Sequence, residues 1–218
     1  MGVRVRPSIH LIAIATLLAC DGRAVPAAPQ IASQKAPPTA PQAETASKTR
    51  GGAWLDAPLT NWNAKLTALP RAAVAKGAAA MDPQCKETQR SGNSPEDKLL
   101  AAAGWTLFGQ EQQFEDVALV MALTSVDGMC RPLGYQGFIF VDGKLAGTVS
   151  PRPMDSRSDG ASSPIHLTST STLTVGFNRY TGTDPLCCPS KRQIVTYTID
   201  RTGPRPLLVP RTMMPLGR

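Results

Sequence analysis

The sequence predicts an α+β fold: an antiparallel β-meander of about seven strands, stapled by disulfides, with one or two short helices against it. Three observations carry this prediction. From Trp105 to about residue 200, β-branched and aromatic residues alternate with polar ones between turn signals. Ahead of that stretch stands one compact helix signal, Ser94-Pro95-Glu96-Asp97, with Gly104 where a C-terminal glycine belongs. Four cysteines, Cys85, Cys130, Cys187 and Cys188, fall in the same part of the chain.

Ser94 can accept from the orphan N–H groups of a first helical turn, Pro95 needs no donor there, and the acids suit the positive end of the helix dipole, so residues 98–103 are expected to be helical. Strands are expected near 105–109, 116–126, 135–141, 144–149, 164–169, 173–180 and 192–199. The sharpest local signal is Asp142-Gly143 between Phe138-Ile139-Phe140-Val141 and Lys144-Leu145-Ala146. A two-residue hairpin turn needs positive φ at both central positions, which Asp-Gly supplies. The helix is then available to cover one face of the meander. Pro204, Pro206, Pro210 and Pro215 forbid a helix after residue 200, and this tail is expected to run extended along an edge with residues 207–209 packed. Residues 63–81 are Ala-rich and can hold a short helix, interrupted by Pro70 and Gly77.

The N-terminus carries a different message. Arg4 and Arg6 precede an apolar stretch of 11 residues, 9–19, and small Ala19 stands before Cys20. That order of charge, apolar run, small residue and cysteine is the lipobox of a bacterial lipoprotein signal peptide, with Cys20 as the residue that receives lipid. Eleven residues are too few to span a bilayer, which takes roughly 20, so the segment is a cleaved signal and the lipid becomes the anchor. From residue 21 to 53 there is no hydrophobic period and no aromatic residue, and Pro26, Pro29, Pro37, Pro38 and Pro41 recur. Such a tether spans roughly 30 Å as a coil and up to about 90 Å extended. Trp54 and Trp62 end it and are expected to pack on the domain. The expected organisation is a signal peptide at 1–19, lipid-bearing Cys20 and tether over 20–53, a poorly defined lead-in over 54–84, one globular domain over 85–210 and a tail over 211–218.

The formal charge of +7 is unevenly placed. Residues 1–84 hold 9 basic and 4 acidic side chains, residues 85–200 hold 10 and 12, and residues 201–218 hold 4 and none, or +5, −2 and +4. A phosphate-tracking groove would concentrate positive charge on the folded part, so nucleic acid is not an expected partner. The expected contacts are the membrane, through lipid on Cys20, and an envelope protein or polysaccharide. The location read from this is the cell membrane, facing periplasm or exterior.

With Cys20 lipidated, Cys85, Cys130, Cys187 and Cys188 form an even set in an oxidising compartment, as expected of two disulfides. A bridge between neighbours closes a ring across one peptide bond and favours a cis or distorted amide at roughly 3 kcal/mol, so Cys85 and Cys130 are expected each to pair with one of the neighbours. Which takes which stays open. Thiol-redox chemistry is the less favoured alternative, since the Cys-x-x-Cys spacing and the helix that lower a thiol pKa in thioredoxin-like enzymes are both missing here.

No metal or cofactor is expected. His166 is the one histidine left after signal cleavage, which excludes sites needing two. It lies between Ile165 and Leu167, so a strand histidine is the plain reading. A triad of Ser162 or Ser163 with His166 and Asp159 is formally available, but no Gly-x-Ser-x-Gly turn accompanies it. Asp155-Ser156-Arg157-Ser158-Asp159-Gly160 places acids and glycine as a calcium loop does, but Arg157 takes a ligand position and His166 stands where the bidentate glutamate belongs. The connection 151–163 is long for a hairpin and gathers Arg152, Asp155, Arg157 and Asp159, apart from any predicted core residue, as a candidate binding loop, and the segment 130–135 is a second candidate contact surface.

Thr183-Asp184-Pro185-Leu186-Cys187-Cys188-Pro189-Ser190 followed by Ile194-Val195-Thr196-Tyr197, together with the hairpin carrying Gly143 and Gly147 and the lipobox, resembles the LppP/LprE family of lipoproteins over roughly residues 85–210. The resemblance implies a lipoprotein and one folding unit; it supplies no reaction. The functional expectation is a non-catalytic binding or scaffolding module in the envelope. The alternative is an envelope hydrolase using His166 with the loop carboxylates.

Overall fold

Val117-Ala118-Leu119-Val120-Met121-Ala122-Leu123 is apolar on both sides of a pleated strand, and in the computed structural model, which describes residues 52–73 and 83–216, both sides are covered. This strand, β3 (Val117–Leu123), lies at the middle of a five-stranded antiparallel sheet. β1 (Thr106–Leu107) and β2 (Gln112–Phe114) follow one another along one edge of β3, and β6 (Gln136–Val141) takes the other edge with β7 (Lys144–Thr148) beyond it. A second sheet has the order β10 (Leu207–Leu216), β9 (Lys191–Asp200), β8 (Thr172–Arg179). β4 (Ser125–Val126) and β5 (Pro132–Leu133) form a small separate pair.

Successive side chains on a strand point to opposite faces, and the two buried clusters divide accordingly. Val117, Leu119, Ile139 and Val141 point toward Val175, Phe177, Val195 and Tyr197 of the three-stranded sheet. Ala118, Val120, Ala122, Phe138 and Phe140 point the other way, onto Leu100 and Trp105. Leu100 belongs to the α-helix α1 (Pro95–Ala102), which covers that outer face as expected. Ser94 caps it by accepting from Asp97 N, and the Asp97 carboxylate reaches back to the Ser94 N–H. Asp142 and Gly143 both have positive φ, 48° and 72°, and Val141 pairs with Lys144 across the predicted two-residue turn.

The fold class stands as antiparallel sheets with short helical pieces, but among the described residues ten strands in three sheets replace the simple seven-strand meander. Two differences have clear causes. The expected strand 116–126 breaks at Thr124, where its continuation leaves β6 to pair with β5. The expected strand 164–169 does alternate, with Ile165 and Leu167 inward, but it joins no ladder: the Gln112 carboxamide donates to Ile165 O at 2.7 Å and accepts from Leu167 N at 2.8 Å. One side chain thus stands in for a neighbouring strand. The proline-rich tail runs extended as expected, paired with β9 over its length with an irregularity between Pro210 and Thr212. Edge strands tolerate residues that cannot donate.

Residues ahead of α1 contribute to both cores. Leu55 is buried, Trp54 packs edge-on against Phe177 at 5.1 Å, and Trp105 Nε1 donates to Pro70 O at 2.8 Å on the other face. Asn63, in a 3-10 turn (Trp62–Lys65), is fully buried. Its Nδ2 donates to Thr148 O at 3.1 Å and Leu208 O at 2.9 Å, and its Oδ1 accepts from Thr148 N at 2.8 Å. It therefore ties β7 of one sheet to β10 of the other. Gly147 is required beside it, because a methyl group there would overlap the Asn63 carboxamide. Beyond this turn residues 66–73 are irregular; the remainder of the expected Ala-rich helix, the signal peptide, Cys20 and nearly all of the tether lie outside the described residues.

The cysteines do not pair as expected. Cys85, carried by a 3-10 turn (Pro83–Thr88), bonds Cys130 in the turn between β4 and β5, 45 residues away, and Cys187 bonds Cys188. The expectation weighed only the local cost of a ring between neighbours. Tertiary structure decides instead: Arg90 N donates to Leu107 O and Gln89 bridges Phe108, which lays the Cys85 turn along β1, while the neighbours sit in the β8–β9 connection.

Candidate functional site

A cavity of about 390 Å³ opens between the β1–β2 connection and the chain at 156–166. Phe108, Met121, Pro132 and Ile165 supply its apolar wall, and Tyr135, Gln112, Ser156, Ser162 and Ser163 its polar groups. Among the described residues, no Asp, Glu, Lys or Arg lines it. Its size and makeup are those of a small-molecule site, mostly apolar with a few converging polar groups.

Local structure explains each group. Tyr135 follows β5 and exchanges backbone hydrogen bonds of 2.7 Å with Met154 in both directions, and Phe108 meets its ring edge-on at 6.0 Å. Its phenol reaches Ser162, donating to the carbonyl and accepting from the hydroxyl at 3.4 Å each. Burial pushes the Tyr135 phenol above its usual pKa, so it remains a neutral hydroxyl at any physiological pH. Ser162 and Ser163 are fixed because the chain runs alongside β8: Ser163 N donates to Gly176 O at 2.7 Å and Asn178 N to Ala161 O at 2.8 Å. The Ser163 Oγ is buried without a hydrogen-bond partner among the described residues. Gln112 holds Ile165 and Leu167 as described, and His166 stands exposed at the rim with no side-chain hydrogen bond among the described residues.

The candidate binding loop divides in two. Asp155 accepts from Gly134 N at 2.7 Å, and nearly buried Asp159 accepts from Arg179 Nε at 3.0 Å and Tyr180 N at 2.9 Å. Arg179 also forks to Asp56 at 2.7 and 2.9 Å and to Gln193 at 2.7 Å, joining the lead-in, the loop and β9. Both carboxylates therefore build the loop, while Arg152 and Arg157 are exposed and in no ion pair among the described residues. The loop is also not detached from the core, since Met154 and Ala161 are buried.

The available triad is not assembled. Asp159 faces Arg179, Ser162 faces Tyr135, and His166 is bonded to neither. Asp155 and Asp159 likewise engage different partners, and among the described residues no three His, Cys, Asp or Glu side chains converge as metal ligands. Gln112 was missed in the sequence, whereas Tyr135 closes the segment 130–135 read there as a second contact surface. Tyr135 stood inside an expected strand and Gln112 in an unassigned stretch, and only the pairing of β2 with β3 brings the glutamine beside residue 165.

No helix among the described residues is long and apolar enough to cross a membrane. No curated protein and no solved structure matches the chain. A family model does match, over β2 through the end of β9, narrower than the 85–210 of the resemblance. It takes in the cavity from Gln112 to His166 and both neighbouring cysteines, and leaves out Cys85, α1 and β10. Through residues 112–202 the chain is similar to the LppP/LprE lipoprotein family.

Proposed function

We propose that this protein is a lipid-anchored, non-catalytic binding module of the cell envelope, which holds a small uncharged molecule in the cavity beside Tyr135. The carrying observation is the cavity lined by Phe108, Met121 and Ile165 on one side and by the Tyr135, Ser162 and Ser163 hydroxyls on the other, with no Asp, Glu, Lys or Arg among its described lining residues and His166 at its rim. Desolvating a charged ligand there would find no compensating charge, whereas a neutral ligand with a hydroxyl or carbonyl gains apolar burial and hydrogen bonds together. The reading is supported by the lipoprotein family match and by the lipobox. In it, Cys20 carries the lipid after residues 1–19 are cleaved, residues 20–53 act as the tether, and exposed Arg152 and Arg157, near Ser156 at the cavity, meet an envelope protein or polysaccharide partner.

The test uses the neutral fluorophore N-phenyl-1-naphthylamine with the full chain purified from membranes in mild detergent. Its emission rises saturably with protein above the detergent background. Ser162→Trp, which adds an indole at the cavity lining, removes that rise while leaving the unfolding midpoint unchanged; equal binding by the variant would refute the site.

A further inference from the structure

We infer that Cys187–Cys188 is an open redox site: a disulfide that exchanges with dithiols in the envelope while the domain stays folded. The two cysteines are exposed in the β8–β9 connection, unlike Cys85, which is 1% exposed. A thiolate must reach a sulfur atom to begin exchange, and exposure is what separates labile disulfides from inert ones. Opening this bond also releases almost no chain, because the partners are 1 residue apart.

The loop does not depend on the bond for its shape. The Asp184 carboxylate accepts from Thr181 N at 2.8 Å, Ser190 N at 2.9 Å and Ser190 Oγ at 2.8 Å, closing the loop at its neck. Tyr180 Oη donates to Leu186 O at 2.9 Å, Cys188 N donates to Pro185 O at 3.0 Å, and the ladder resumes beneath at Arg179 and Lys191. None of these contacts uses a cysteine sulfur.

The chemistry balances with a dithiol as the sole co-reactant. One thiolate of the donor attacks one cysteine sulfur, the Cys187–Cys188 bond breaks, and a mixed disulfide forms while the departing sulfur takes a proton. The donor's second thiolate then displaces the remaining cysteine, leaving two protein thiols and an oxidised donor. Two electrons pass from donor to protein.

The experiment equilibrates the full chain, purified in mild detergent, with graded mixtures of reduced and oxidised dithiothreitol, quenches with acid and labels free thiols with N-ethylmaleimide. Digestion after Arg179 and Lys191 isolates the peptide 180–191 that holds both cysteines. The expected result is two labels on that peptide at an opening rate about tenfold or more above that of Cys85–Cys130. The near-ultraviolet signal of Trp54, Trp62 and Trp105 stays unchanged, and oxidised dithiothreitol removes the labels on return. Opening of both pairs together, opening only with loss of the tryptophan signal, or a pair that stays closed until the protein unfolds would each overturn the inference.

Discussion

Two segments of this protein are built from the same parts, one disulfide and one locally hydrogen-bonded carboxylate, yet the two disulfides reach very different distances. Over residues 85–97, Cys85 is joined to Cys130 across 45 residues, and the buried Asp97 carboxylate receives both Nη groups of Arg90 at 2.5 Å and the Asn93 N–H at 3.0 Å. Over residues 180–190, Cys187 is joined to its neighbour, and the Asp184 carboxylate accepts from Thr181 and Ser190 of the same loop at 2.8 to 2.9 Å. A cross-link stabilises by restricting the unfolded chain, and it restricts more when the closed loop is longer. The first segment should therefore carry global stability, and the second should carry local order and chemistry.

The largest expected effect is removal of the long cross-link. Cys85→Ala combined with Cys130→Ala should lower unfolding free energy by about 2–5 kcal/mol in urea titrations followed by tryptophan fluorescence. A loss no greater than that from removing the neighbouring pair would break the comparison.

Next comes Asp97. Burial raises its pKa, but the Arg90 hydrogen bonds, the Asn93 N–H, the Arg90 charge and the Ser94 N–H together outweigh burial and hold it below the usual carboxylate range. Asp97→Asn removes the carboxylate that bonds both Nη groups of Arg90, leaving only the Glu111 charge near the guanidinium among the described residues, and should cost about 3 kcal/mol. The pH dependence follows from the direction of the shift. A carboxyl whose folded pKa lies below its unfolded value of about 3.9 stabilises fully above that value, and the contribution disappears as pH falls through the folded pKa. Wild-type stability should thus fall below about pH 4, and the Asp97→Asn titration should be flatter there. Parallel curves would show that Asp97 is not the group responsible.

Smaller still is the effect of opening the exposed ring. Cys187→Ser with Cys188→Ser should shift unfolding free energy by about 1 kcal/mol or less, because a ring of adjacent residues removes little freedom from the unfolded chain. A larger loss in the same urea titration would mean that the β8–β9 connection unfolds with the core.

What could be read from the sequence was local. The Ser94-Pro95-Asp97 cap, the Asp142-Gly143 turn and the two-faced apolar runs of β3 and β6 each carry their signal within a few residues. What could not be read spans the chain. Asn63 bonds partners 85 and 145 residues away, Gln112 replaces a strand for residues 53 and 55 further on, and the cysteine pairing follows from where β1 places the Cys85 turn. The cavity belongs to the second kind, since Phe108, Tyr135 and Ser162 meet only through three separate pairings. The division mirrors the two segments: short-range features announce themselves, and those that hold the fold together do not.

The smallest expected effect is the most discriminating. The Thr181 and Ser190 N–H groups, with little opposition from burial, hold the Asp184 carboxyl well below the usual carboxylate range, so it is charged at neutral pH. Asp184→Asn keeps an oxygen that can accept one of these bonds but removes the charge that strengthens all of them. Amide hydrogen exchange at Thr181 and Ser190 should therefore speed up, while the urea midpoint stays where it is. If the midpoint instead falls as far as it does for Asp97→Asn, the loop is part of the cooperative core. Reduction of Cys187–Cys188 would then disturb the whole domain, and the distinction between a staple and an exchangeable pair would fail at its base.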